Sequence, residues 1–440
     1  MIEKTISEYG YLGCDKISTS SDKFVGIRDL EPDFFKELYD FWLKDKETQK
    51  VFTFENEDCL KATNYVGIIQ TKSLSVEILP KIYTKKIECE ALKDKYRNIF
   101  LEMLKPLLDI NEVQINKAHL STTKNKNIYE MFITLFVQSM DTLIHKGIKS
   151  DYILQEGNQF FLRGKLKFNQ HIKQNYIHKE RFYVETDEYL QDRVANRLLK
   201  STIELLLKKT NNYDNKRNLR QQLFIFDEVQ LSINHEMDFK KVNKHRGMEH
   251  YDLPLRFAKV FLMHESFTSM RGKDNVLALL FPMEKVFENY MEFVLNNSKE
   301  NLKISKVLVN GYSGDYLLSG NIINQQPDYL LELKDGEQSI ITDAKWKLFD
   351  ITETIKNEKI NISSGDVYQM FSYLHYYDAR DIAYIFAPQT DEFNKDNNLK
   401  DSLTYLHHNG CTDKQIKIIP INLEELINAH HHKLKEVFYE

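Results

Sequence analysis

The sequence predicts a multidomain α+β protein with an N-terminal α+β domain, a mainly helical middle region and a C-terminal α/β domain. Length is the first observation, because 440 residues suffice for two or three domains with cores of their own. The second is the order of the patterns, since strand-like runs occur towards both ends of the chain and helical periodicity dominates between them. The predicted domains are residues 1–119, 120–270 and 271–440.

One helix and one hairpin predict the N-terminal domain. Residues 33–43 have helical spacing, and the apolar face of this helix consists of Phe34, Phe35, Leu38 and Trp42. The hairpin joins strands at residues 65–70 and 74–79, and Pro80 ends the second strand. Neither element carries a cluster of chemically active side chains, so a structural module is the favoured interpretation of this domain.

Helical periodicity begins near Thr123 and predicts the middle region. Its first helix has a broad apolar face, formed by Met131, Leu135, Phe136, Met140, Leu143 and Ile144. A second amphipathic helix is predicted over residues 192–207. Both apolar faces are typical of a protein core.

The middle region also contains the strongest basic patch of the chain. Between Arg163 and Lys179 there is no Asp or Glu, and the basic residues are Arg163, Lys165, Lys167, Lys173 and Lys179. Phe168 and Tyr176 lie among them. Such a segment can bind DNA phosphates or an acidic partner surface, or it can be a solvated basic face, and the sequence leaves these open.

Composition narrows the class of protein. Hydrophobic residues make up 42% of the chain and charged residues 28%, which is typical of a globular protein. No apolar run is long enough to span a membrane and the N-terminus has no signal-peptide core, so we expect a cytoplasmic protein that does not enter membranes. The four cysteines include no C-x-x-C pair, which argues against a zinc or iron–sulfur site. A net charge of -5 argues against tight binding of duplex DNA through bulk electrostatics alone.

A hairpin in the C-terminal domain places two carboxylates and a lysine together. Strand-like runs at residues 329–334 and 339–345 flank Asp335-Gly336, a strong signal for a two-residue turn. Counting back from that turn puts Asp328 directly opposite Asp343, and alternation puts Lys345 on the same face. Facing like charges destabilise a sheet unless a cation lies between them. The hairpin therefore predicts a site for a hard cation such as Mg²⁺.

Two helices and one strand are predicted around this hairpin. A helix over residues 283–294 carries Glu284, Glu288 and Glu292 at intervals of four. A second helix, over residues 366–373, places Gln369 and Tyr373 on one face. The apolar run at residues 382–387 predicts a buried strand.

The hairpin resembles a known nuclease signature. Pro327-Asp328, followed by Asp343-Ala344-Lys345, is similar to the proline-aspartate and aspartate-x-lysine motifs of the restriction-endonuclease-like fold, and Gln369 with Tyr373 resembles the motif that follows the lysine in its RecB-like branch. Further segments resemble the McrC family, the nuclease subunits of McrBC modification-dependent restriction systems. In family order these are residues 65–83, 161–172, 187–207 and 281–294.

The resemblance implies a PD-(D/E)xK nuclease domain with a mixed central sheet flanked by helices. Asp328 and Asp343 would hold Mg²⁺, for which Mn²⁺ can substitute, and Glu288 is the helical acid expected near the metal. Lys345 would orient or deprotonate the attacking water, while Gln369 and Tyr373 would position groups of the catalytic site.

The resemblance also implies partners. They are a McrB-like AAA+ GTPase hexamer, which this chain would stimulate and which the N-terminal domain would contact, and double-stranded DNA that carries modified cytosine. GTP would be bound by the partner, because this chain contains no Gly-x-x-x-x-Gly-Lys-Ser/Thr loop. A RecB-like repair nuclease with another motor and a non-catalytic activator of a GTPase stay open as alternatives.

Overall fold

The structure is a computed structural model. It describes residues 2–13, 26–27, 30–43, 46, 48–56, 58–82, 90–108, 127–242, 247–263, 277–311, 316–318, 322–324, 326–334, 338–347, 363–377, 379–388, 404–408 and 411–428. The chain divides into two compact units, Met1–Ile128 with Ser266–Glu440 and Tyr129–Glu265. The division into three domains at residues 119 and 270 stays a prediction.

Two four-stranded sheets form the N-terminal part of the first unit. The strands are β1 (Ile2–Ser7), β2 (Tyr11–Gly13), β3 (Gly26–Ile27), β4 (Phe52–Asn56), β5 (Cys59–Ala62), β6 (Tyr65–Gln70), β7 (Leu74–Leu79) and β11 (Leu277–Pro282). One sheet has the order β1-β7-β6-β11 and the other β3-β2-β5-β4. The predicted hairpin of β6 and β7 is confirmed, with Gly67 opposite Ile78.

Strand β11 belongs to the sheet of the N-terminal strands, although the sequence assigned its residues to the C-terminal domain. It pairs antiparallel with β6, and Gly67 lies opposite Leu280. Gly67 has φ 142°, and a Cβ there would lie 1.9 Å from the carbonyl oxygen of Leu279. Glycine is therefore required where these two strands meet.

Two helices pack in this part of the unit, α1 (Pro32–Trp42) and α2 (Glu90–Leu107). The helix predicted at residues 33–43 is confirmed, and Phe35, Leu38 and Phe41 are its buried residues. Phe34 and Trp42 pack against the same core while only partly buried. A buried ion pair joins α2 to β7, because Arg97 donates to both carboxylate oxygens of Glu77 at 2.7 and 2.9 Å.

The second unit is helical with one small sheet. Its helices are α3 (Ile128–Lys146), which begins at the unit boundary, α4 (Phe168–Asn175), α5 (Val194–Lys209), α6 (Tyr213–Ile225), α7 (His235–Lys241) and α8 (Glu249–Met263). Strands β8 (Asp151–Gln159), β9 (Lys165–Leu166) and β10 (Phe182–Leu190) form an antiparallel sheet in the order β8-β10-β9. These strands were not predictable from the sequence pattern, since β8 lacks the alternation of a half-buried strand.

A six-stranded sheet carries the predicted cation site. Its strands are β12 (Ile304–Val309), β15 (Tyr329–Leu333), β16 (Ser339–Ala344), β17 (Ala379–Pro388), β18 (Thr404–His408) and β19 (Cys411–Ile421), and a separate hairpin consists of β13 (Tyr316–Leu318) and β14 (Ile322–Asn324). The order is β12-β15-β16-β17-β19-β18. Strands β16, β17 and β19 are parallel and the other pairs antiparallel, so the sheet is mixed.

Helices pack on this sheet, as predicted. They are α9 (Met283–Asn297) and α10 (Ser364–Tyr376), while α11 (Leu423–Asn428) follows β19 and contacts α2. The Tyr329 hydroxyl donates to the carbonyl oxygen of Glu288 on α9 at 2.5 Å, while Met370 of α10 packs with Leu330 and Ile341. Both faces of the hairpin strands are buried, although the sequence predicted packing on only one.

No helix in the part of the chain that the structure describes is long and apolar enough to cross a membrane. The cytoplasmic location stays a prediction.

Candidate functional site

The register of β15 and β16 is the predicted one. Tyr329 lies opposite Thr342 and Leu331 opposite Ile340, which places Asp328 opposite Asp343 at the next position. The turn residues Asp335-Gly336 that suggested this register lie outside the described residues. The Asp328 carboxylate reaches across to β16, where it accepts the Ala344 N–H at 2.7 Å. The hairpin thus fixes both acids at its open end.

The two acids have different surroundings. Burial and the nearby Asp343 carboxylate raise the pKa of Asp328 well above its usual range. Asp343 has a relative exposure of 0%, and neither of its carboxylate oxygens accepts a hydrogen bond of acceptable geometry. A buried carboxylate without hydrogen bonds is costly, so a charge partner is required.

Lys345 supplies one such partner. Its Nζ lies 2.6 Å from Oδ2 of Asp343. Burial lowers the pKa of Lys345, but the Asp343 charge outweighs that effect and the net shift is upward, so the ammonium form is maintained. One lysine cannot neutralise two carboxylates. The arrangement therefore fits a hard cation, with carboxylate oxygens of Asp343 and Asp328 as its oxygen ligands.

Glu288, the predicted helical acid, is half-buried on α9. Burial and the Asp343 charge raise its pKa, and the Lys345 charge opposes that rise, so its carboxyl group lies within electrostatic range of the site. However, no three His, Cys, Asp or Glu side chains among the described residues are grouped closely enough to hold a metal ion. Metal binding by Glu288 stays a prediction.

Helix α10 carries Gln369 and Tyr373 into the site. Lys345 Nζ donates to Gln369 Oε1 at 3.4 Å, and Gln369 Nε2 donates to the Tyr373 hydroxyl at 2.7 Å. The Tyr373 hydroxyl donates in turn to the carbonyl oxygen of Gln326 at 2.8 Å. These hydrogen bonds link Lys345 to the segment that precedes Asp328, so the helix orients the lysine and fixes the start of the hairpin.

Lys347 also contacts the helix that carries Gln369, a contact that was not predicted from the sequence. Its Nζ pairs with the Asp366 carboxylate, and Asp366 forms a capping box with Ser363 at the start of α10. Strand alternation gave no signal for Lys347, because β16 ends at Ala344 and the chain turns after Lys345. The capping box fixes the first turn of the helix that carries Gln369.

The basic segment lies in the second unit. Arg163, Lys165 and Lys173 are exposed. Lys167 is instead paired, with Nζ 2.7 Å from Glu156 and in contact with Glu185. These acids lie on β8 and β10, so the absence of acidic residues within the segment did not reveal them.

The exposed basic residues have apolar neighbours that are also exposed. Phe161 and Phe168 have relative exposures of 64% and 68%. A surface of this composition suits contact with a partner, but binding by Arg163, Lys165, Lys167 and Lys173 stays a prediction.

These features define a multidomain α+β protein with a buried acidic pair and a lysine at the end of a β-hairpin. A family model described as McrBC 5-methylcytosine restriction system component matches residues 60–387. The chain belongs to this family of McrBC restriction system components.

One solved structure supports the fold. A half-complex from a tetradecameric assembly of Thermococcus gammatolerans McrB AAA+ hexamers with bound McrC contains a similar chain, with a TM-score of 0.69 and 20% identity over 99% of this chain and 100% of that one. A second McrBC complex from the same organism matches with a TM-score of 0.48 and 20% identity, over 68% of this chain and 88% of that one. No curated protein matches the sequence.

Proposed function

We propose that the chain is the Mg²⁺-dependent endonuclease subunit of a modification-dependent restriction complex, with a PD-(D/E)xK nuclease domain. The observation that carries this proposal is the arrangement of Asp328, Asp343 and Lys345 at one end of the hairpin. Two carboxylates with one lysine suit phosphodiester hydrolysis, in which a bound metal and a cationic side chain stabilise the charge that develops on the phosphate. Membership of a restriction system family supports DNA as the substrate.

Each residue then has a role. Asp328 and Asp343 would hold Mg²⁺, which would supply Lewis-acid polarisation of the scissile phosphate and activation of water. Lys345 stays protonated beside Asp343 and orients the attacking water by hydrogen bonding. Gln369 holds the Lys345 ammonium group in place, and Tyr373 fixes Gln369. Mn²⁺ should substitute for Mg²⁺, because both prefer oxygen ligands.

The partner in this proposal is a GTP-hydrolysing AAA+ ring. The solved relative was bound to McrB AAA+ hexamers, and this chain has the same fold along its whole length. The partner binds the GTP, and this chain stimulates its hydrolysis. Arg163, Lys165 and Lys173, which are exposed, contact DNA phosphates or an acidic surface of the partner. Lys167 stabilises the same segment through its ion pairs.

Plasmid cleavage tests this function. Cytosine-methylated and unmethylated plasmids are incubated with Mg²⁺ and GTP, with and without the candidate GTPase, using wild type and Asp343→Asn. Asparagine keeps the shape of the side chain while removing its charge. We expect cleavage only with methylation, GTP, the partner and Asp343 all present.

Other outcomes contradict the proposal. Cleavage of unmethylated DNA without GTP, including plasmid that has been linearised to provide ends, would indicate a repair nuclease that works with another motor. Stimulated GTP hydrolysis without any cleavage would indicate a non-catalytic activator.

A further inference from the structure

A buried tryptophan follows the site lysine directly in the sequence. Trp346 has a relative exposure of 9%, and its ring centroid lies 5.5 Å from that of Phe287 on α9. Phe287 is the neighbour of Glu288, the acid on the same helix. The position of the indole ring is therefore coupled to Lys345 on one side and to the Glu288 segment on the other.

The indole N–H points at a carboxylate from a distant part of the chain. Trp346 Nε1 donates to the two oxygens of Glu8 at 3.1 and 3.2 Å. Glu8 follows β1, which belongs to a different sheet of the same unit. It is 338 residues away in sequence, so only the fold brings the two side chains together.

Glu8 is itself rigidly held. Its carboxylate accepts the Lys81 N–H at 2.8 Å, and its own N–H donates to the carbonyl oxygen of Leu79 at 2.9 Å. Both contacts are made with the end of β7 and the residues after it. The carboxylate is thus a fixed point against which the indole is oriented.

The main chain at Lys345 lies where β16 ends and the chain turns. The Lys345 N–H donates to the carbonyl oxygen of Phe386 on β17 at 2.9 Å. The chain then turns, because the Lys347 N–H donates back to the carbonyl oxygen of Lys345 at 2.8 Å. The buried side chain of Trp346 anchors the middle of this turn, in addition to the contacts that the Lys345 ammonium group makes with Gln369 and Asp343.

Burial of the Glu8 carboxyl group is energetically unfavourable. The relative exposure of Glu8 is 1%, and burial raises its pKa to about 8, even though the Lys81 N–H and the Trp346 N–H lower it. An apolar side chain would fill the same space without desolvating a carboxyl group. A geometric task, holding the indole N–H in a fixed direction, explains why a carboxylate occupies it.

We propose that Glu8 is a positioning residue for DNA cleavage, which acts through Trp346 to hold Lys345 against Asp343. The inference rests on the proposed nuclease function and deepens it, because it makes the N-terminal strand β1 part of the support of the site. Glu8 touches neither DNA nor metal in this scheme.

Cleavage kinetics of the complete complex with the GTPase partner test the inference. Glu8→Ala removes the acceptor, and Trp346→Phe removes the donor while keeping a ring against Phe287. We expect each variant to lower kcat for DNA cleavage roughly 10- to 100-fold, since small misplacements of a reacting group have effects of this size. The KM for DNA and the stimulated GTPase rate should stay at wild-type values.

Two further variants separate positioning from general structural damage. Glu8→Gln keeps an acceptor for the indole N–H, so it should recover most of the lost rate. The double variant Glu8→Ala/Trp346→Phe should lose no more activity than either single variant, because both changes remove the same hydrogen bond.

The inference is overturned if Trp346→Phe cleaves at the wild-type rate, or if GTPase stimulation falls in parallel with cleavage in every variant. Asp343→Asn, assayed alongside, distinguishes failure of the proposed nuclease function from failure of the role proposed for Glu8. Full activity of Asp343→Asn would overturn the proposed function itself, whereas an inactive Asp343→Asn with fully active Glu8→Ala and Trp346→Phe would overturn only the role of Glu8.

Discussion

At the scale of single residues, the two acids of the hairpin differ in the contacts that their carboxylates make. Asp328 accepts a backbone N–H from the opposite strand, whereas Asp343 has an ion pair with Lys345 and no hydrogen bond of acceptable geometry. We therefore expect Asp343→Asn to lower cleavage at least about 100-fold while the chain still stimulates GTP hydrolysis. A plasmid cleavage assay beside a GTPase assay measures both. Equal loss in the two assays would show that Asp343 supports folding or assembly instead.

Replacement of Lys345 should change Mg²⁺ affinity and the cleavage rate in opposite directions. Lys345→Met removes the one ammonium group within 4 Å of the acids among the described ion pairs, so the site becomes more negative. Mg²⁺ should then bind several-fold more tightly, while cleavage is lost because no cationic group orients the water. Calorimetric titration with Mg²⁺ and a cleavage assay on the same preparation test this. Weaker Mg²⁺ binding in Lys345→Met would contradict the assignment of the acids as metal ligands.

The residues of the site differ in how well the sequence could predict them. Asp328, Asp343 and Lys345 lie in one hairpin, where a turn signal and strand alternation are enough to place them on one face. Helical spacing placed Gln369 and Tyr373 on one face, and only the resemblance to the RecB-like motif assigned them to the site. Glu8 could not be found in this way, because its contact with Trp346 depends on packing between two sheets and on no local pattern.

At the scale of secondary-structure elements, the junction of β6 and β11 depends on one glycine. A Cβ at Gly67 would lie 1.9 Å from the Leu279 carbonyl oxygen, and φ is 142°. Gly67→Ala should therefore lower the free energy of unfolding by at least about 2 kcal/mol, because the backbone of β11 must move. Urea unfolding of the variant and of wild type gives the difference.

Gly157→Ala is a matched control for that measurement. Gly157 also lies in a strand, but nothing lies within 4 Å of a Cβ built there. We expect this control to change stability by less than about 1 kcal/mol, since alanine meets no neighbour. If both variants were equally stable, the close approach at Gly67 would not be a structural requirement.

Elements with a clear period were predicted well, and those without one were missed. Helix α10 and the β6–β7 hairpin have regular apolar spacing, and both were confirmed. Strand β8 contains polar residues on both faces and was assigned to a helical region. Glu185 on its partner strand β10 forms an ion pair with Lys167. Because neither strand was predicted, the ion pairs of the basic segment were not predicted either.

At the scale of the whole molecule, the contact between β1 and the C-terminal sheet makes folding of the first unit depend on pH. Burial, opposed by contacts with Lys81 and Trp346 and reinforced by the charge of Glu284, raises the pKa of Glu8 from 4.5 to about 8. The folded state then holds a proton that the unfolded state releases between these pH values. Stability should therefore fall as pH rises from about 4.5 to about 8, by up to about 1.4 kcal/mol per pH unit from this group.

Glu8→Gln isolates this contribution from all other titrating groups. Glutamine resembles the protonated carboxyl group and does not ionise, so the free energy of unfolding of the variant relative to wild type should rise steadily between pH 5 and pH 8 and level off above that. Urea unfolding of both proteins at four pH values in this window gives the difference. A difference that is constant with pH would mean that Glu8 is already ionised in the folded protein, and its carboxylate would then need a stronger compensating partner than the Lys81 and Trp346 N–H groups. The expected slope would instead show that Glu8 stays protonated in the folded protein at pH values where it is ionised in the unfolded chain.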